Sequence, residues 1–421
     1  MAARVKPPNG PQAAQPETTV GLRYMARQPI LDPRGRVHGY ELLFRNGPEA
    51  VFSGDGNLAT RTMIDNTVLF GLDRLTGGLP AFVNCTTESL IEQLVDVLPP
   101  SMTVLEILET LDPTPSLIAA CRKLKVSGFR LALDDFVWKP ELMPLVEIAD
   151  YIKVDFLVMD AKERQGQLRR LRGSTVALVA EKVETQEVHQ QAGTEGFTLF
   201  QGFYFCRPVL LKGRKVPANR LSQIQILELL QHTPLNLNRL SELLKRDASL
   251  TFRLLRLVNS PVCAMRQEVR SIQTALIMVG DDTFRRIATL AIASEFNTDQ
   301  PPEVLRMAFT RGRFCELVAE MCALDPTEQY LLGMLSLLPA MLRLPMEELT
   351  PALPLRNEIR QALQGTVNCE RCMLEWIEFH EQGNWAACDA VAQANGFTPE
   401  AAIRCYGEAL VWAESAIQFS A

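Results

Sequence analysis

In the first half of the chain, acidic and amide residues recur at the ends of short apolar runs. Glu41 follows the segment Val37–Tyr40, Asn84 ends Ala-Phe-Val-Asn, and Glu106 ends Val-Leu-Glu. Asp134 and Asp135 end Leu-Ala-Leu-Asp-Asp, Glu181 ends Ala-Leu-Val-Ala-Glu, and Lys153 closes Tyr-Ile-Lys. In a parallel barrel such residues converge on one mouth, where active sites are built. Several carboxylates gathered there would repel one another unless hard cations neutralised them, and oxygen-rich ligation of this kind suits Mg2+ or Mn2+. Taken singly, a strand-end Asp or Glu is more often a helix N-cap or a solvated loop residue. Repetition in sequence order over five strand ends, with a lysine among them, argues against coincidence.

The elements that would position these groups are legible as an alternation. Strands are expected at Ala81–Asn84, Thr103–Ile107, Arg130–Leu133, Tyr151–Val154, Val176–Val179 and Leu199–Phe203. Helical stretches lie between them at Asn57–Leu72, Thr87–Val97, Thr114–Lys125, Gln165–Leu171 and Gln186–Ala192. That pattern predicts a parallel α/β domain, open or closed. Beyond Leu211-Lys212-Gly213-Arg214 no convincing strand appears, and apolar residues recur at helical spacing. The expected organisation is a flexible tail over 1–20, an α/β domain over 21–211 and an all-α domain over 212–421.

Bulk composition narrows the class. The 421 residues are 47% hydrophobic and 22% charged, ordinary for a soluble globular protein. A net charge of -6 argues against a strongly basic nucleic-acid face, and nucleic acid is not an expected partner. No basic-then-apolar N-terminal segment resembles a signal peptide. The longest uncharged apolar stretch, Tyr330–Leu342, is too short to span a bilayer and reads as a buried core helix. Ten scattered cysteines suit reduced thiols and a cytoplasmic location. Cys369 and Cys372 form one CxxC pair, but no second ligand pair is spaced for zinc.

Over roughly Arg23 to Pro208 the chain resembles the EAL family of cyclic di-GMP phosphodiesterases. The motifs that carry the resemblance are Gln28-Pro29-Ile30, Tyr40-Glu41-Leu42-Leu43-Phe44-Arg45, Val83-Asn84 and Leu105-Glu106-Ile107-Leu108-Glu109-Thr110. Leu133-Asp134-Asp135-Phe136, Ile152-Lys153-Val154-Asp155, Ala180-Glu181-Lys182-Val183-Glu184-Thr185 and Gln201-Gly202-Phe203 complete the set in order. The resemblance implies a TIM-like barrel with two divalent metals, Mg or Mn. It implies that Glu41, Asn84, Glu106 and Asp134 hold one metal, and that Asp134 bridges to a second held by Asp135 and Glu181. It implies that Lys153 positions the attacking water, that Glu109 steadies the loop after Asp135, and that Gln28 and Arg45 contact the nucleotide. Glu184 and Gln201 are carried over with packing or support of the inner ligands as equal alternatives. Two departures stand out: Val137-Trp138-Lys139-Pro140 where the family has Gly and small polar residues, and Lys182 where it usually has Gly.

From about 215 to 410 the chain resembles HDOD modules, relatives of HD-domain phosphohydrolases. Leu240–Asp247, Leu254–Ser260, Ile272–Leu276 and Val279-Gly280 carry that likeness. Where an HD enzyme would place its His-Asp pair, Ser336 and Leu337 stand, and neither replaces an imidazole–carboxylate metal site. Arg253, Arg256, Arg285 and Arg286 form a candidate basic patch, with a solvated helix face as the favoured reading. The expectation is a cyclic di-GMP protein that hydrolyses its ligand to pGpG, with the HDOD half regulating it or recruiting a protein partner and a homodimer forming through the barrel. The alternative is a catalytically inactive receptor or scaffold.

Overall fold

The computed structural model describes residues 23–46, 72–206, 223, 225–227, 229–230, 235–244, 248–259, 269–297, 300–353 and 355–420. Eight strands close into a barrel: β1 (Arg23–Leu31), β2 (Val37–Asn46), β3 (Ala81–Cys85), β4 (Thr103–Ile107), β5 (Arg130–Leu133), β6 (Tyr151–Asp155), β7 (Ala177–Glu181) and β8 (Leu199–Gln201). From β2 to β8 all neighbours are parallel, whereas β1 runs antiparallel to both β2 and β8. The wholly parallel sheet expected from strand–helix alternation is therefore corrected at its first strand. The reason is local, because a parallel crossover needs a dozen residues or more. Residues 32–36 instead fold as a tight turn, in which Asp32 Oδ1 accepts from the backbone N–H groups of Arg34 at 2.8 Å and Arg36 at 2.9 Å.

Side chains along a strand alternate between faces, so residues two apart share the barrel interior. The lower interior layer is apolar: Ile30, Phe82, Val104, Ala132, Tyr151, Val179 and Leu199 pack together. Two residues further toward the mouth on those strands stand Gln28, Asn84, Glu106, Asp134, Lys153, Glu181 and Gln201. On β2 the same step leads from Gly39 to Glu41. A Cβ on Gly39 would lie 3.0 Å from the Phe82 ring and 2.7 Å from the Pro80 carbonyl, so glycine there makes room for the packed layer. The polar mouth and the apolar plug are one repeating pattern.

Around the barrel lie α1 (Leu72–Thr76), α2 (Thr87–Ile91), α3 (Pro115–Val126), α4 (Met143–Val146), α5 (Ala161–Arg170) and α6 (Gln186–Glu195). The expected helix over Asn57–Leu72 lies almost wholly outside the described residues, as do the tail over 1–20 and the boundary near 212. Among the described residues the remainder is helical: α7 (Leu237–Leu244), α8 (Ala248–Val258), α9 (Ile272–Val279), α10 (Asp281–Phe296), α11 (Pro302–Ala319) and α12 (Pro326–Leu335). These are followed by α13 (Leu338–Leu342), α14 (Met346–Leu349), α15 (Asn357–Leu363), α16 (Arg371–Glu381), α17 (Trp385–Asn395) and α18 (Pro399–Ser420). The single core helix expected over Tyr330–Leu342 is two, broken at Ser336-Leu337, with Pro339 in the first turn of α13. Proline tolerates that position because its missing N–H would be unpaired there anyway. None of the described helices is long and apolar enough to cross a membrane.

The helical part packs on the outer face of β1 and β2. Tyr40, fully buried, donates its hydroxyl to Glu303 Oε2 at 2.8 Å, and the Arg27 guanidinium lies 4.5 Å from the Tyr40 ring centroid. Arg27 also reaches Glu414 Oε1 of α18 at 3.0 Å, and Arg306 shares that carboxylate at 2.9 Å. Buried charges are costly unless paired, and this cluster pairs each of its members.

His380, at the end of α16, is fully buried against Trp376, Trp385 and Tyr406, and neither ring nitrogen has a hydrogen-bond partner among the described residues. Burial pushes its pKa down to about 3. Below the unfolded value near 6.5 the unfolded chain takes up a proton that the folded chain refuses, so stability is lost as pH falls from about 6.5 toward 3. His380→Phe should remove that loss, gaining about 2 kcal/mol relative to the parent at pH 5 and none from this source at pH 8. Urea denaturation at both pH values measures the difference, and an equal effect at the two would refute the assignment.

Candidate active site

Each strand end delivers one polar group to the mouth, and Lys153 lies at the centre. Its Nζ, fully buried, is 2.9 Å from Glu41 Oε2, 2.8 Å from Glu106 Oε1, 2.7 Å from Asp134 Oδ1 and 2.9 Å from Glu181 Oε1. An ammonium has three N–H bonds and meets four carboxylates here, so it cannot serve them all. The contact to Glu41 has hydrogen-bond geometry. Asn84 Nδ2 donates to Glu41 Oε1 at 3.1 Å, and Gln201 Nε2 donates to Glu41 Oε2 at 2.8 Å.

The electrostatics follow from that crowding. Burial, then repulsion from Glu41, raises the Glu106 carboxyl well above its ordinary range, although Lys153 pulls the other way. Burial pushes Glu181 up to about 8 and also raises Asp134 and the half-buried Asp135. Glu41 alone among them is lowered: burial opposes ionisation, but Lys153 and the hydrogen bonds from Gln201, Lys153 and Asn84 outweigh it. The four carboxylates hold Lys153 protonated in spite of burial.

The N-cap alternative for these acids does not hold. The helices after β3, β4, β6 and β7 are capped by Thr86, Thr114, Asp160 and Thr185, whose side chains accept from the first-turn N–H groups. Asn84, Glu106 and Glu181 are thereby left pointing inward. Glu106 Oε2, Glu181 Oε2 and Asn84 Oδ1 are buried without a hydrogen-bond donor among the described residues, and Glu106 Oε1 and Asp134 Oδ1 meet only the overcommitted Lys153 ammonium. Such oxygens are the donor set of a hard divalent cation, so the residues fit one.

The other candidate residues fall around this core. Gln28 joins it through Gln201 Nε2, which lies 3.0 Å from Gln28 Oε1. Gln28 Nε2 in turn donates to the backbone carbonyl of Glu381, at 3.3 Å, so the end of α16 reaches the mouth. Sequence reasoning missed Glu381, because a contact spanning 353 positions leaves no local signal. Glu109 is exposed, near enough to Asp135 to raise its pKa, and Glu184 is half-buried beyond β7. The Arg45 side chain lies outside the described residues.

The departures can be placed as well. Phe136 N–H donates to the Lys153 carbonyl at 2.9 Å, and Trp138 N–H donates to Gln167 Oε1 at 3.1 Å, which pins the loop to β6 and α5. Val137 is not among the residues of positive φ, so the backbone does not require glycine there. Lys182 does take the left-handed region, at φ 53°, and its Nζ pairs with Asp155. A side chain in that region is strained, and the ion pair offsets part of the cost. Glycine at 202 is required outright: φ is 143°, and a Cβ would lie 2.2 Å from the Val183 carbonyl oxygen.

The EAL domain family matches residues 57–208, and the HDOD domain family matches residues 217–376. The EAL match begins after Glu41, so β1 and β2 lie outside it. The cyclic di-GMP phosphodiesterase CdgJ of Vibrio cholerae is 32% identical over 414 residues, covering 96% of this chain and 95% of that protein. This chain belongs to the EAL–HDOD family. Another member of similar reach is the uncharacterized protein YuxH of Bacillus subtilis, 35% identical over 92% of this chain and 97% of its own. Among solved structures, Klebsiella pneumoniae BlrP1 in its calcium/cyclic di-GMP complex is 25% identical, with a TM-score of 0.37, over 48% of this chain and 58% of that one. An EAL domain protein from Listeria monocytogenes is 19% identical, with a TM-score of 0.37, over 44% of this chain and 87% of that one. The EAL–HDOD architecture thus comprises the closed barrel and the helical region that follows it.

Proposed function

We propose that this EAL–HDOD protein hydrolyses cyclic di-GMP to linear pGpG with two divalent cations, Mg2+ or Mn2+, at the barrel mouth. The observation that carries this reading is the set of buried carboxylate and amide oxygens without donors on β3, β4 and β7, beside carboxylates that share one lysine. Glu41, Asn84, Glu106 and Asp134 would hold one ion, and Asp134, Asp135 and Glu181 the other. Bound divalent ions supply hydroxide at neutral pH and offset charge on the phosphodiester oxygens. Lys153 orients the attacking water and keeps the carboxylates together. Gln201 holds Glu41 in place, Gln28 and Arg45 face the nucleotide, Glu109 steadies the loop after Asp135, and Glu184 supports the β7 end. The protein divides at 211/212, pairs through its barrel as a homodimer, and uses its HDOD part to regulate the barrel or recruit a protein.

The test is direct. Full-length protein stripped of metal and given Mn2+ should convert cyclic di-GMP to pGpG, read by anion-exchange chromatography, and chelator should stop it. No product across a range of Mn2+ concentrations would refute the enzymatic reading. One observation favours the inactive receptor instead: Lys182 carries a strained backbone and ties up Asp155 beside the second proposed ion. Calorimetry showing binding without turnover would establish that reading.

A further inference from the structure

Gln28 at the barrel mouth leads back into the helical part through an unbroken chain of polar contacts. Gln201 Nε2 lies 2.8 Å from Glu41 Oε2 and 3.0 Å from Gln28 Oε1. Glu41, its pKa lowered, is ionised and can only accept, so Gln201 must turn its nitrogen toward both partners. Gln28 then presents Oε1 to Gln201, which leaves Nε2 for the Glu381 carbonyl at 3.3 Å. A reversed Gln28 would set oxygen against oxygen at Glu381 and nitrogen against nitrogen at Gln201. The sense of both amides is therefore fixed, and the Glu381 carbonyl is their far anchor.

Glu381 is the last residue of α16, so its carbonyl has no partner within the helix and the barrel supplies the donor. Its side chain is fixed by Arg311 of α11. Arg311 Nε donates to Oε1 at 3.0 Å and Nη2 to Oε2 at 2.6 Å, a two-pronged pairing of two buried residues. Arg311 Nη1 reaches Ser336 Oγ at 3.0 Å and lies 3.5 Å from Glu378 Oε1. Ser336 in turn donates to the Gly333 carbonyl at 2.6 Å. Where α11 crosses α12, a Cβ on Gly333 would stand 2.3 Å from the Arg311 carbonyl oxygen. The arginine is thus held at backbone and side chain alike. Just past α16, a Cβ on Gly383 would lie 3.2 Å from Leu43 Cδ1, which sets the end of that helix against β2.

We propose that Arg311 is a positioning residue for the barrel mouth, holding Glu381 so that its carbonyl aligns Gln28 and, through Gln201, Glu41 for the nucleotide. The inference rests on the reading of the mouth as a cyclic di-GMP site. It gives the HDOD part a defined route to that site. Any shift of α11 against α16 slackens the Gln28 carboxamide, and part of the binding energy then goes into ordering it.

Calorimetry on the full chain in Mn2+, with a hydrolysis-resistant phosphorothioate analogue of cyclic di-GMP, tests the route. Arg311→Met should weaken binding about fivefold, the size of one neutral hydrogen bond, and Gln28→Ala by at least as much. The double variant should bind within about twofold of Gln28→Ala alone, because Arg311 acts only through that amide. Circular dichroism identifies an Arg311→Met chain that has failed to fold. Arg311→Met combined with Glu381→Gln then removes the stranded charge, keeps the carbonyl and should show the same loss. Parental affinity in the folded Arg311 variant, or losses that multiply in the double variant, would overturn the route and leave the site in place. A parent that does not bind the analogue overturns the reading of the mouth, and this inference with it.

Discussion

Glu106→Gln should reduce Mn2+-dependent hydrolysis of cyclic di-GMP on the order of a thousandfold, because an amide cannot supply the anionic oxygen a hard cation needs. The substitution keeps the volume and the buried position. Glu106 is fully buried, with Oε2 lacking a hydrogen-bond donor and Oε1 2.8 Å from Lys153 Nζ, so an amide oxygen can keep the contact to the ammonium while the charge is removed. The raised pKa of this carboxyl adds a second expectation. An acid whose folded pKa lies above its unfolded one loses stability as pH rises, so the metal-free variant should melt no lower than the parent at neutral pH and higher in alkali. Steady-state assays and thermal melts with and without Mn2+ give both readouts. Retention of more than about a tenth of parental activity would remove Glu106 from the metal shell.

Lys153→Met should have the opposite profile in stability and the same outcome in catalysis. Removing the ammonium leaves four carboxylates facing one another in a buried site. Breaking a buried charge cluster by deleting one partner costs about 3–5 kcal/mol, and the metal-free protein should melt roughly 10 °C lower at pH 8. Protonation relieves the repulsion, so the deficit should shrink as pH falls. The sign follows from the raised pKa of Glu181, about 8 even with the lysine present: protonated forms are favoured in the fold below that value. Mn2+ should restore most of the lost stability without restoring turnover, since cations replace the ammonium as neutraliser but not as the group that orients water. A variant that melts like its parent in chelator would show that Lys153 is not what holds the carboxylates together.

Much of this site was legible because barrel strands impose a period of two on buried positions. Phe82 and Asn84, Val104 and Glu106, Tyr151 and Lys153, Val179 and Glu181 are written as apolar-then-polar steps, and each step became a rung of the interior. The capping threonines and Asp160 are equally visible in the sequence, and they fill the N-cap positions that the strand-end acids would otherwise compete for. The reversal of β1 was missed, though residues 32–36 are too few for a crossover and carry a turn's Asp and Gly. What no local pattern could supply was tertiary. Arg285 is buried although it is a charged residue directly beside Arg286, and the Glu381 carbonyl meets Gln28 from the far end of the chain. Both depend on which helix faces lie against which strands, a choice made by the whole assembly.

The pairing of Arg27 with Glu414 has a bearing on how the chain is made. Arg27 is buried on β1, a strand needed to close the barrel, yet its carboxylate partner lies 387 positions later. At synthesis rates of 5–20 residues per second, that partner follows about 20–80 s behind. A nascent barrel spends this interval with the Arg27 guanidinium of β1 lacking its Glu414 partner. The outer face of the strand pair is therefore unfinished until α18 has been made.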